Sequence, residues 1–320
     1  MKVVVTGGAG FIGANLCATL VGAGVDQVTV VDDLSTGSRD NLAGLAVELV
    51  EGTIVDGDTL DAAMVGAGAV IHLAARPSVP RSLADPVASH VANATGTVAV
   101  LEAARRAGGP LVVVASSSSV YGANPRLPKR EDLAVAPLSP YAASKLAAES
   151  YALAWQHSFD LPVLAFRFFN VFGPLQMPGH AYAAVVPAFA AAALEGRPLP
   201  VHGDGRQSRD FTYVGTVAAV LAAAATRQVT SPGPVNLAYG TRTDLLTLVG
   251  LLGEVVGREL AVDHLPARAG DVRHSQADNR RLVELFPEVE PVGLRDGLEA
   301  TVAWLAGLGP GPGSPPSPSA

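Results

Sequence analysis

The sequence predicts an α/β fold: a doubly wound parallel sheet with a smaller, irregular α/β part after it. Three observations carry this prediction. Short apolar, β-branched runs alternate with alanine-rich helical stretches up to about residue 167. Gly7, Gly10 and Gly13 stand between the first run and the first helix in GxxGxxG spacing. The second run ends on an acid, Asp32.

Taken in order, residues 3–5, 28–31, 47–50, 70–73, 111–115 and 163–166 are the predicted strands. Each is short and almost wholly apolar, as expected of parallel strands covered by helices on both faces. The stretches between them, 93–107 for example, are rich in alanine and predicted helical. After Phe168 the rhythm breaks, and Pro174, Pro178, Pro187, Pro198 and Pro200 punctuate short elements. The chain is expected to return to the first domain around residues 211–225.

The first strand, the glycines and Asp32 make one chemical unit. Gly7 permits a tight turn, Gly10 has no Cβ to block a pyrophosphate, and Gly13 lets helix and strand pack closely. The helix N-terminus behind them offers unpaired N–H groups and a partial positive charge. Asp32 can accept both hydroxyls of a ribose, and beside Asp33 a 2′-phosphate would be repelled. The unit is a Rossmann-type βαβ, and it is expected to bind NAD rather than NADP. Without a ligand the same pattern would be a tight strand–helix turn.

Composition narrows the classes further. The chain has 320 residues, 49% of them apolar, which is enough for a large core in one or two domains. The net charge of -7 and the absence of a basic run argue against nucleic acid as a partner. Cys17 is the only cysteine, so no internal disulfide can form, which fits a reducing, cytoplasmic setting. Cys17 falls in the first helix and reads as a small core residue. No apolar stretch suits a membrane span; the longest, 181–194, is short and contains Pro187. No cleavable leader is expected at the N-terminus. The stretch from Gly309, GPGPGSPPSPSA, is expected to be disordered.

A second motif is Ser139-Pro140-Tyr141-Ala142-Ala143-Ser144-Lys145. Ser139 suits an N-cap and Pro140 the first helical position. Tyr141 and Lys145 then share one helix face. A phenol ionises near ~10 unaided, and a nearby cation favours the phenolate. On their own the two residues would be a surface Tyr and Lys. The fifth strand, however, runs into Ser116-Ser117-Ser118-Ser119-Val120-Tyr121-Gly122. Ligands of open parallel sheets bind at the carboxyl ends of strands, which places hydroxyls beside Tyr141.

TGGAGFIG, SSSSVYG, SPYAASK and RFFNVFGP together resemble the extended short-chain dehydrogenase/reductase family. More narrowly, the chain is similar to NAD-dependent nucleotide-sugar epimerases of the UDP-hexose 4-epimerase type, to about residue 305. The resemblance implies that Tyr141 is the acid/base, that Lys145 supports it and holds the nicotinamide ribose, and that Ser117 positions the sugar 4-hydroxyl. It implies NAD contacts from Gly7, Gly10, Phe11, Ile12, Gly13, Asp32, Asp33, Ile54, Leu73, Ala74, Ala75 and Asn93, besides Tyr141 and Lys145. It implies UDP-sugar contacts from Ser78, Ser118, Asn170, Arg209, Arg268 and Asp271. Two arginines suit a diphosphate, since each guanidinium can fork onto phosphate oxygens. Either arginine alone would read as an ion-pair residue.

Ala184, Val185, Pro187 and Phe189 match the segment that sandwiches uracil in the family, and would equally make a helix core. Ser275 matches a gate whose small side chain admits N-acetylated sugars. The related 4,6-dehydratases carry Asp-Glu after the hydroxyl residue, where this chain has Ser118 and Ser119. Eliminating water needs an acid and a base, so C4 epimerisation of UDP-glucose/galactose and their N-acetyl forms is expected. The alternatives are an epimerase of UDP-glucuronate or of another nucleotide sugar, or a nucleotide-sugar dehydratase/reductase of the same family. Where the family places an adenine-contacting Asp, this chain has Thr53, with Asp56 three residues on; His202 replaces a Tyr or Asn near the nucleoside. The expected division is a NAD-binding domain at 1–167 plus about 210–235, a nucleotide-sugar domain at 168–209 and 236–308, and a tail at 309–320. A homodimer is expected, with no metal.

Overall fold

The protein is seen in a computed structural model that describes residues 1–178, 184–266 and 273–308. The expected tail at 309–320 lies outside the described residues, as do Arg268 and Asp271. The chain begins with β1 (Lys2–Thr6), α1 (Phe11–Gly22), β2 (Gln27–Asp32), β3 (Glu48–Glu51), α2 (Gly57–Met64) and β4 (Ala67–His72). It continues with α3 (Val79–Ala84), α4 (Pro86–His90), a π turn at Val91–Thr95, α5 (Gly96–Arg106), β5 (Leu111–Ser117), α6 (Pro140–Phe159) and β6 (Val163–Phe168). Shorter elements follow: β7 (Val171–Phe172), α7 (Val185–Glu195), β8 (Leu199–His202), β9 (Ser208–Arg209) and β10 (Thr212–Tyr213). The last are α8 (Val214–Arg227), β11 (Val235–Leu237), β12 (Thr243–Asp244), α9 (Leu245–Val256), β13 (Val262–Leu265), α10 (Arg280–Leu285) and α11 (Leu294–Gly307).

Seven strands form one parallel sheet in the order β11-β6-β5-β4-β1-β2-β3. Successive side chains of a strand point to opposite faces, and the core divides accordingly. Val3, Val5, Val28, Val30, Val113 and Phe166 pack on one face with Leu16 and Leu20 of α1 and Val217 and Leu221 of α8. Val4, Val31, Val70, Val112 and Val114 pack on the other with Leu60 of α2 and Leu101 of α5. A third cluster gathers Phe172, Phe189, Leu199, Val201, Leu248, Leu252 and Leu298.

The six predicted strands are present with shifted ends, and β11 is a seventh that the sequence pattern does not announce. Its central residue is the polar Asn236, whose amide is absorbed by the carbonyls of Lys129 and Asp278. The helix expected at 93–107 starts earlier, at Pro86. Asp85 caps it, Oδ1 accepting from Ala88 N at 3.0 Å, and Pro86 stands in its first turn. Cys17 is buried, and burial pushes its thiol up to about 12, so it is an inert core residue. Among the described residues no helix is long and apolar enough to cross a membrane.

Candidate active site

The loops after β1, β4 and β5 meet at the carboxyl edge of the sheet, the usual ligand position of this architecture. Gly7 has φ +73, and a Cβ on it would stand 2.6 Å from the Ala74 backbone nitrogen. A Cβ on Gly13 would stand 2.2 Å from the Gly7 carbonyl oxygen. Gly13 therefore closes the helix onto the glycine loop itself. At Gly10 a Cβ would stand 3.3 Å from the Gly7 carbonyl oxygen, a tight contact but the loosest of the three motif glycines. No side chain caps α1, which leaves its N-terminus available to an anion. Phe11 and Ile12, its first residues, are partly buried.

Two glycines escaped the motif reading. A Cβ on Gly8 would meet Val30 at 2.7 Å, and one on Gly37 would meet the Ala9 carbonyl carbon at 2.7 Å. Asp32 ends β2, buried, with Oδ2 accepting from Ala9 N and Oδ1 from Leu34 N, both at 2.9 Å. Burial raises its carboxyl above the usual range against those two bonds. Asp33 is exposed and turned onto Ser35, so it contributes charge beside the loop rather than a second fixed acceptor. These features suit a dinucleotide: a turn that only glycine makes, an open helix end and a fixed carboxylate.

Leu73, Ala74 and Ala75 form the partly buried loop after β4, with Leu73 N bonded to Thr6 O. Ile54 is buried in the core, tight against Gly96, and presents no open face. Asn93 lies in the π turn and braces the next loop: its Oδ1 accepts from Arg76 N at 2.7 Å, and its Nδ2 donates to Ser144 Oγ at 2.9 Å. Ser78, φ +100, caps α3. Asp56 is spent as the cap of α2, accepting from Asp58 N, and Thr53 is exposed. Beneath the loops His72 is buried between two hydroxyls, with Nδ1 2.7 Å from Thr6 Oγ1 and Nε2 3.0 Å from Thr97 Oγ1. Burial and the nearby Lys145 lower it to about 3.

Ser139 caps α6, accepting from Ala142 N at 3.1 Å, and Pro140 opens it. This sets Tyr141 beside Ser117 at the end of β5, close enough for the serine hydroxyl to favour the phenolate. Ser117 Oγ accepts from Ser119 N at 3.2 Å and Ser119 Oγ at 2.9 Å. Ser118 opens the short turn that follows. The expected lowering of the phenol by Lys145 is corrected here: burial raises Tyr141, and only Ser117 opposes it. Lys145 is itself buried, lowered to about 8, and donates from Nζ to Ala115 O at 2.8 Å.

On the substrate side, Asn170, φ +30, donates from Nδ2 to Asp210 O at 3.1 Å. Arg209 Nη1 donates to Ser208 O at 3.0 Å and to Arg273 O at 3.4 Å. Ser275 N donates to Ser208 O at 3.0 Å, placing it near β9 and Arg209. Ala184 and Val185 open α7, whereas Phe189 is buried within the third apolar cluster and serves the core. His202 hydrogen-bonds the Pro266 carbonyl through Nδ1, a structural use. Among the described residues no His, Cys, Asp and Glu gather to hold a metal.

Residues 3–238 match the NAD dependent epimerase/dehydratase family. Among curated relatives, a UDP-glucose 4-epimerase of Mycolicibacterium smegmatis is 38% identical over 317 residues, 95% of this chain and 98% of that one. A dTDP-glucose 4,6-dehydratase of Streptomyces niveus is 35% identical over 95% of this chain and 92% of its own length. Among solved structures, a UDP-N-acetylglucosamine 4-epimerase of Methanobrevibacter ruminantium, in complex with UDP-N-acetylmuramic acid, superposes with a TM-score of 0.90. It is 35% identical, over 96% of this chain and 98% of that one.

Proposed function

The chain belongs to the NAD-dependent epimerase/dehydratase family, and from that premise we propose that it inverts C4 of a UDP-hexose. The substrates are UDP-glucose and UDP-galactose, with their N-acetylated forms. The observation that carries the reading is the Ser117–Tyr141–Lys145 grouping at the end of β5, followed by Ser118 and Ser119. A dehydratase needs an acid and a base for the loss of water, and serines supply neither.

NAD, held by the glycine loop and Asp32, would supply the hydride acceptor and donor that inversion at C4 requires. Tyr141 holds the 4-hydroxyl and takes its proton, then gives a proton back to the 4-keto sugar. Ser117 orients that oxygen and favours the phenolate. Lys145 keeps a buried positive charge beneath the site. Arg209 stands on the side where the diphosphate is held while the sugar turns. The loops at Gly7, Leu73 and Asn93 keep the edge of the sheet rigid, with Asp32 on the ribose.

The enzyme works in the cytoplasm as a homodimer. Leu83 on α3, Val87 on α4 and Val91 in the π turn are exposed apolar residues, and Tyr151 is exposed on α6, against which α3 and α4 pack. The reading is tested by incubating pure protein with a panel of UDP-, dTDP- and GDP-sugars, without added NAD. Interconversion of C4 epimers, with no NADH released, is the expected result. Loss of water from the sugar or a requirement for NADPH would overturn it.

A further inference from the structure

One stripe of α6 meets the end of β5 in three successive contacts. Tyr141 stands beside Ser117, Lys145 Nζ donates to Ala115 O, and Ser116 Oγ donates to Glu149 Oε2 at 2.7 Å. The three α6 residues are spaced four apart, so they lie one above another on the helix. The first two belong to the proposed chemistry. The third, Glu149, is buried and plays no part in it.

Glu149 has a second partner. Arg167 forks onto it, Nη2 to Oε1 at 2.6 Å and Nε to Oε2 at 2.9 Å, and both side chains are only 4% exposed. Arg167 stands on β6 directly opposite Ser116 in the strand register. Its Nη1 donates to Glu131 O at 3.3 Å, and its guanidinium lies 4.7 Å above the ring of the buried Tyr121, whose hydroxyl donates to Asn236. The cation is thus fixed by the sheet, and the carboxylate it holds grips both the helix and the strand end.

Burying an ion pair is expensive, and an apolar pair of similar volume would stabilise the fold as well or better. What an apolar pair lacks is direction. We infer that Glu149, locked by Arg167 and bonded to Ser116, is a positioning residue that sets α6 against the end of β5 and so fixes Tyr141 relative to Ser117. The inference rests on Tyr141 and Ser117 being the acid–base pair proposed above. Displacing a reacting group by about 1 Å can cost on the order of 10²-fold in rate, so small slippage here has a large effect.

Ser116→Ala is the primary test, because it cuts the link to the strand and leaves the Arg167–Glu149 pair intact. Glu149→Gln, which keeps the shape and removes the charge, is the second variant. Both are compared with wild type as NAD-loaded protein. Steady-state kinetics are measured, and Tyr141 is titrated by NMR of 13C-labelled tyrosine, its signal identified by its loss in Tyr141→Phe. For Ser116→Ala, kcat should fall about tenfold with KM within twofold, and the midpoint of the Tyr141 titration should move. An unchanged titration and a kcat within twofold of wild type would overturn the inference. If wild type turns over none of the nucleotide sugars, the proposed function fails, and the titration still decides whether Ser116 and Glu149 place Tyr141.

Discussion

Lys145 gives its ammonium to the Ala115 carbonyl, 2.8 Å away, and does not neutralise a carboxylate. A charge held by a carbonyl in the protein interior is costly, and burial lowers Lys145 from 10.5 to about 8. Between those values the unfolded chain binds a proton that the folded chain lacks. The stability linked to Lys145 is therefore complete above pH 10.5 and lost as pH falls to about 8.

Lys145→Met removes this dependence. At pH 7 the variant should be more stable than wild type, by at most about 3 kcal/mol less about 1 for the lost hydrogen bond. The difference should shrink as pH rises from 8 to 10.5, while turnover is lost. Denaturant unfolding at pH 7 and pH 10 checks it; a gap that stays constant with pH would assign the cost to packing.

Tyr141→Phe removes only the phenol oxygen. NAD and nucleotide-sugar binding should persist, and kcat should fall by ~10²–10⁴-fold, the usual cost of a positioned acid/base. Near-normal turnover would move the chemistry elsewhere. Because burial raises Tyr141, turnover should climb with pH on the alkaline side of neutrality, and kcat measured from pH 6 to 10 reads that rise.

Asp32→Asn should weaken NAD binding by about tenfold, the loss of a charge-assisted hydrogen bond, and narrow the preference over NADP. Calorimetric titration with both nucleotides checks this. A preference that does not change would place the ribose away from β2.

Ser275→Tyr should depress kcat/KM for a UDP-N-acetylhexosamine more than for the plain hexose. An overpacked contact costs roughly 1–3 kcal/mol, enough to change the preference tenfold or more. A constant ratio between the two substrates would remove Ser275 from the sugar pocket.

Val87→Arg puts a charge among the exposed apolar residues Leu83, Val91 and Tyr151. Sedimentation should show a monomer where wild type is a dimer; an unchanged mass would exclude this face as the contact.

The parts of the fold most legible in the sequence were those with a local rule. Val3, Val4 and Val5 announce a strand, and Gly7 and Gly13 sit where no Cβ fits. Ser139 and Pro140 fix where α6 begins, and with it the face carrying Tyr141 and Lys145. What stayed hidden depends on partners distant in the chain. Gly8 and Gly37 make room for Val30 and Ala9, and no spacing rule links them. Asn93 also braces Arg76 and Ser144, a use that its place in the sequence does not announce. Phe189 is apolar in core and pocket alike, so only packing separates the two. Arg167 did leave a trace: a cation inside the apolar run VLAFRF must find a buried anion, and the sequence does not say which.

The hydroxyls around His72 have one further consequence. Ala74 N donates to Thr6 Oγ1, which lies 2.7 Å from Nδ1 of the imidazole. Thr97 Oγ1 donates to Asn93 O, so it can only accept from Nε2. The ring is therefore a single tautomer, and the five groups form a chain polarised one way, from the loop after β4 to the π turn. Such a chain cannot be reversed one link at a time. A second ring proton would face the Thr6 proton head-on, and burial with the nearby Lys145 lowers the imidazole to about 3, so at neutral pH it is an uncharged, fixed dipole under the cofactor loops.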